Sequence, residues 1–171
     1  KTYALGTLVD WAQEHGKQAY YLDIENSLET LLGYWTDKGK PIPACLHWHQ
    51  MKSAPVSLAS MVSAAKDTGE FSYEMLTKKI DPNRGGANNI FWKVLSAMSN
   101  FPDDRTGELC GPVDKFGVDK IFLLDSFTEL SNLAAKMQVG SRSTMAPPDY
   151  GVAQGHLMNF LRLCTQGMEC T

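Results

Sequence analysis

Three stretches of this chain carry residue types suited to phosphate chemistry: Lys1-Thr2, Asp23-Ile24-Glu25, and Ile121-Phe122-Leu123-Leu124-Asp125-Ser126. A Lys-Thr pair ends the phosphate-binding loop G-x-x-x-x-G-K-[ST], in which the ammonium faces the β- and γ-phosphates and the hydroxyl faces Mg²⁺. A carboxylate such as Glu25 can polarise an attacking water. An aspartate closing an apolar strand, as Asp125 does, can orient Mg²⁺ and its waters. The expected assignment is Lys1 and Thr2 at the nucleotide, Thr2 and Asp125 at the metal, and Glu25 with Lys1 in catalysis. Two letters such as Lys-Thr mean little alone, so the surrounding elements must carry the reading.

Those elements have the right order. Leu5, Leu8, Val9 and Ala12 recur at helical spacing from Tyr3 to His15, and Gly16 stands where a left-handed C-cap belongs. Ala19-Tyr20-Tyr21-Leu22 follows as a strand ending in the acids of Asp23-Ile24-Glu25. Ile121-Phe122-Leu123-Leu124 is an unbroken apolar run, as expected of a strand covered on both faces. Ser126 and Glu129 then form an S-x-x-E capping box for a helix through Leu130, Leu133, Ala134 and Met137. In α/β units, ligands sit at the carboxyl ends of the strands, which is where Asp23, Glu25 and Asp125 fall. Glu25 also has a simpler reading, as a cap for a helix over 26–32.

Asp23-Ile24-Glu25 matches the D-x-E pattern that carries the catalytic glutamate in RecA-like proteins. Ser126, not glutamate, follows the strand-closing Asp125, so a catalytic acid must come from elsewhere, again as in RecA. Asn100-Phe101, Asp104-Arg105-Thr106-Gly107-Glu108 and the run from Leu124 to Ser131 resemble the stretch before and through the corresponding strand in a phage group. The chain is thus similar to RecA-type P-loop ATPases, most of all to phage-encoded members associated with single-strand annealing and recombination. The resemblance spans the chain and is weakest between residues 34 and 90. It implies an α/β, RecA-like core with a mainly parallel sheet flanked by helices, read as one fragment over 1–171 cut at both ends. It also implies a Mg²⁺-dependent ATPase using ATP, a homo-oligomer or filament, and a site in the host cytoplasm.

Composition fits one compact α/β domain: 171 residues, 43% hydrophobic, net charge −3. There is no global basic field to draw in nucleic acid, so any DNA contact must be local. No apolar run of about 18 residues exists, which excludes a helical membrane span by sequence. A long connection runs over about 34–117. It holds a loop at Pro41-Ile42-Pro43, a short strand over 44–49, a helix over 56–66 with Leu58, Met61, Val62 and Ala65 inward, a loop over 82–89, and a helix over 90–98.

The loop from Gln138 to Tyr150 is the candidate single-stranded DNA contact. Ser141, Arg142 and Thr144 supply one cation and two hydroxyls, suited to backbone phosphates without sequence choice. A surface connection with no partner reads equally well. Cys45, His47 and His49 alternate along a strand and could meet a metal on one face, although zinc pairs are usually spaced more widely. The simpler reading is a half-buried strand face. With no paired cysteine spacing, no structural disulfide is expected. Two functions follow: an ATPase acting on single-stranded DNA, or a nucleotide-gated assembly subunit with little hydrolysis and no DNA binding.

Overall fold

The computed structural model describes residues 2–52, 57–67, 89–139 and 146–167. Its elements are α1 (Thr2–Glu14), β1 (Gln18–Asp23), α2 (Leu28–Thr36), β2 (Leu46–Gln50), α3 (Leu58–Asp67), α4 (Ile90–Ser99), a 3₁₀ turn (Val113–Lys115), β3 (Lys120–Asp125), α5 (Phe127–Val139) and α6 (Pro147–Arg162). A wider helical turn (Leu163–Gly167) extends α6. The chain divides into two compact units. One comprises Lys1–Lys52, Leu95–Glu129 and Arg162–Thr171; the other comprises Ser53–Val94 and Leu130–Leu161.

The first unit is an α/β structure around a three-stranded parallel sheet in the order β2-β1-β3. The apolar runs predict this centre. Ala19 to Asp23 are all buried because β1 is paired on both edges. Adjacent residues of a strand face opposite sides. Ala19 and Tyr21 therefore pack with Val9 and Ala12 of α1 and Leu31 and Trp35 of α2, while Tyr20 packs against Phe101 and Phe116 on the other face. Each fully buried Val or Leu in such a core contributes about 1.5–3 kcal/mol. In β3, Ile121, Leu123 and Asp125 are buried but Phe122 and Leu124 only partly so. The continuous apolar run thus overstates its two-sided burial.

Two glycines shape the helical layer. Gly16 adopts φ +66°, ending α1 in the left-handed region as its position predicts. At Gly6 an added Cβ would lie 2.5 Å from Tyr34 Cγ, so a glycine is what lets α1 and α2 approach here. Because a short turn joins α1 to β1 and α1 packs along it, the helix runs antiparallel to the strand. Its amino end, at Thr2, is directed toward the carboxyl end of the sheet.

In the second unit, α4 buries Ile90, Phe91 and Val94. The expected inward face of α3 is not inward: Leu58, Met61 and Val62 are 76%, 56% and 47% exposed, and Ala65 is exposed too. Periodicity marks an apolar stripe but does not supply a partner for it. Both ends of the loop expected over Gln138–Tyr150 are helical. α5 continues to Val139, and Pro147 opens α6 as proline can at a first helical position. Asp149 reinforces that start by accepting the Ala146 N–H at 2.7 Å. Residues 82–88 of the loop read over 82–89 lie outside the described residues, and Asn89 at its end is buried. No helix among the described residues is long and apolar enough to cross a membrane.

Candidate functional site

Parallel pairing places Asp23 opposite Asp125 at the adjacent carboxyl ends of β1 and β3. Both are buried. Two carboxylates so close together are costly unless their oxygens are hydrogen-bonded, and the loop after β1 supplies the donors. Asp23 Oδ1 accepts the N–H groups of Glu25 (3.1 Å) and Ser27 (3.0 Å), and Oδ2 accepts the N–H of Leu28 (2.9 Å). Gln50 Nε2 donates to the same Oδ2 at 3.3 Å, tying the end of β2 to it. Asp23 therefore holds the turn that carries Glu25 and satisfies the first turn of α2. Asn26, at φ +57°, takes the left-handed step in that turn, a conformation asparagine tolerates better than most residues.

Asp125 is held from within the sheet. Tyr21 Oη donates to Asp125 Oδ2 at 3.1 Å and Ser27 Oγ donates to the same oxygen at 2.9 Å. The Tyr21 and Ser27 hydroxyls also touch each other at 2.7 Å. Burial pushes the Tyr21 phenol well above its ordinary pKa; the Ser27 hydrogen bond opposes this, and the charges of Asp23 and Asp125 add to it. The phenol consequently stays protonated and remains a donor to Asp125.

Glu25 is exposed, and its carboxylate accepts a short hydrogen bond from Ser126 Oγ, the residue directly after Asp125. Ser126 Oγ in turn accepts the Glu129 N–H at 3.3 Å, the N-cap bond that the S-x-x-E pattern predicts. One hydroxyl thus links the loop after β1 to the start of α5. At the start of α2 it is Asp23 that accepts the Ser27 and Leu28 N–H groups.

The sheet end therefore brings together Asp23, Glu25, Asp125 and Ser126, with α1 opening at Thr2 toward the same end. Lys1, Ser141, Arg142 and Thr144 lie outside the described residues. Sequence reasoning missed Tyr21 and Ser27. The available signal was Asp23-x-x-x-Ser27 after a strand, a pattern in which an aspartate can close a turn on backbone amides.

Cys45, His47 and His49 do not share one environment. Cys45 is buried, with Sγ 3.8 Å from the Val9 carbonyl oxygen; His47 Nδ1 meets Asp103 Oδ2 at 2.8 Å; His49 Nδ1 meets Asp104 Oδ1 at 2.9 Å. Asp103 and Asp104 lie along the edge of β2 that pairs with no strand among the described residues. The Asp104 N–H donates to the Trp48 carbonyl at 2.8 Å, and the Asp103 and Asp104 carboxylates accept the N–H groups of Trp48 (3.3 Å) and Gln50 (2.9 Å). These contacts protect an edge that would otherwise be open to pairing with another strand. Comparison with known proteins gives no match, whether with a protein-family model, a curated protein or a solved structure.

Proposed function

We propose that the chain is a RecA-like, Mg²⁺-dependent ATPase acting on single-stranded DNA, with its nucleotide site at the carboxyl end of β1 and β3. The observation that carries this reading is the registered pair Asp23–Asp125 with Glu25 held beside it through Ser126. Parallel α/β sheets bind ligands at this end, and the amino end of α1 is directed there. A helix amino terminus offers unpaired N–H groups to phosphate.

The residues fit the ion the reading requires. Asp125 is a buried carboxylate with one oxygen fixed by Tyr21 and Ser27, which sets the plane of the group in advance. Thr2 and Asp125 would hold Mg²⁺, which supplies charge neutralisation at the phosphates. Lys1 is assigned to the phosphates as a point charge. Glu25 is exposed to solvent, and its role is to orient and polarise the attacking water. Most of the catalysis is then positioning and electrostatics.

Single-stranded DNA is assigned to Ser141, Arg142 and Thr144, in the segment between α5 and α6. Affinity for single strands should show little sequence preference and fall steeply with salt. Arg142→Ala should weaken binding of every sequence similarly, with smaller effects for Ser141→Ala and Thr144→Ala and none on nucleotide affinity. Fluorescence anisotropy with a labelled oligonucleotide, with and without a non-hydrolysable ATP analogue, measures both. Absence of binding at low salt in either state would leave a nucleotide-gated assembly protein as the better account.

A further inference from the structure

The second chemical cluster lies on the aromatic face of the sheet and has no part in the nucleotide reading. Phe101–Asp103 and Glu108–Gly111 run antiparallel, joined by bonds from Phe101 N–H to the Gly111 carbonyl, from Cys110 N–H to the Phe101 carbonyl, and from Asp103 N–H to the Glu108 carbonyl, each 2.8 Å. Gly107, at φ +77°, makes the turn between them. This small hairpin carries Asp103 and Cys110 to His47 on edge strand β2. One donor atom from each of His47, Asp103 and Cys110 lies within 4.8 Å of the others.

The hydrogen bonds around His47 are electron-rich on both sides. Its Nδ1 faces Asp103 Oδ2 at 2.8 Å, and its Nε2 faces Gln18 Oε1 at 3.1 Å. A neutral imidazole has one N–H for these two oxygen acceptors. An ion seated between His47 Nδ1 and Asp103 Oδ2 would take the Nδ1 lone pair while Nε2–H donates to Gln18, and the Cys110 sulfur completes a nitrogen, oxygen and sulfur donor set.

We propose that His47 Nδ1, Asp103 Oδ2 and Cys110 Sγ form a site for a borderline-soft divalent transition ion, best matched by Zn²⁺, that clamps the 101–111 loop to β2. Hard cations such as Mg²⁺ and Ca²⁺ favour all-oxygen sites, whereas imidazole with thiolate favours zinc. The outer shell is already in place. Gln18 orients the ring from its far nitrogen, Thr106 Oγ1 donates to Asp103 Oδ2 at 2.9 Å, and the N–H groups of Arg105 (3.0 Å) and Trp48 (3.3 Å) hold Oδ1. Zinc bonds of about 2.0–2.3 Å require donor atoms roughly 3.3–3.8 Å apart. Binding would therefore part His47 from Asp103 by about half an ångström and draw Cys110 inward, within reach of side-chain rotation. Coordination forms the metal–sulfur bond and releases the thiol proton to solvent. His47 and Cys110 are only partly buried, which leaves a fourth position to water.

The test uses the full-length protein stripped with chelator and titrated with Co²⁺ in the absence of nucleotide. One equivalent should produce a thiolate-to-cobalt charge-transfer band, and Zn²⁺ should bleach it. Cys110→Ala, at a partly buried position, should remain folded by circular dichroism and lose the band. In the wild-type protein, Zn²⁺ at ten times its dissociation constant should slow alkylation of Cys110 about tenfold. Peptide-level mass spectrometry would follow this rate, with Cys164 as the internal control. No band in the wild type, a band that survives in folded Cys110→Ala, or an unchanged Cys110 alkylation rate would overturn the proposal. Asp103, His47 and Gln18 would then form a hydrogen-bonded clamp without metal.

Discussion

Glu25→Gln is expected to lower steady-state phosphate release from Mg·ATP by about 10²-fold or more while leaving nucleotide affinity unchanged. Glutamine keeps the side-chain length and still offers an oxygen to Ser126 Oγ, so the link between the β1 loop and α5 survives. What it loses is the charge that polarises water. Because Glu25 is exposed, folding stability should change by no more than about 0.5 kcal/mol, so the kinetic effect can be separated from misfolding. Normal turnover in this variant would reduce Glu25 to a partner of Ser126.

Asp23→Ala should act in the opposite way, through folding first. The Asp23 side chain is fully buried and accepts the N–H groups of Glu25, Ser27 and Leu28 together with Gln50 Nε2. Removing it leaves those donors without their acceptor. Hydrogen bonds to charged groups contribute about 1.5–3 kcal/mol each and are not additive, so a loss of about 3 kcal/mol or more is expected. Asp23→Asn should cost less than alanine, because the amide oxygen can keep the donors of one carboxylate oxygen while its NH₂ faces the two donors of the other. Urea denaturation would measure both as shifts in midpoint at constant slope. A midpoint for Asp23→Ala within experimental error of wild type would show that the turn carrying Glu25 is held by something other than Asp23.

The elements of the first unit were legible because their signals are local. Unbroken apolar runs marked β1 and β3, helical spacing marked α1, and Gly16 marked its end. Asp23, Glu25 and Asp125 could be placed at strand ends for the same reason, since strand ends are where an apolar run stops. The partners of those acids were not legible. Tyr21 looks like a core residue, and one strand-face position is indeed buried against α1 and α2, yet its hydroxyl reaches across to Asp125. Ser27 looks like an ordinary cap, but its side chain bridges Asp23 and Asp125. Such roles depend on the register of β1 against β3, which no single segment encodes.

Of the two readings of Cys45, His47 and His49, the half-buried strand face is the one that their surroundings match. Cys45, His47 and His49 are neighbours in the chain, and alternation along a strand suggested one face. Two of the residues beside His47, Asp103 and Cys110, come from more than fifty positions away, in a hairpin whose turn is set by Asp103, Thr106 and Gly107. Asp-Asp-Arg-Thr-Gly has the composition of a turn, but composition does not say which strand edge the turn will cover. The outward face of α3 and the early start of α6 at Pro147 have the same origin. Periodicity and proline content describe a segment, not its neighbours.

The central claim is a Mg·ATP site at the carboxyl end of β1 and β3. Titration calorimetry of the full-length protein with Mg·ATP tests it most directly, comparing wild type with Lys1→Ala. The account predicts a single saturable site per chain in the wild type. Lys1→Ala should bind at least about tenfold more weakly, because alanine cannot replace a point charge over the phosphates. Equal affinity in the two proteins, or no heat of binding in the wild type, would contradict it.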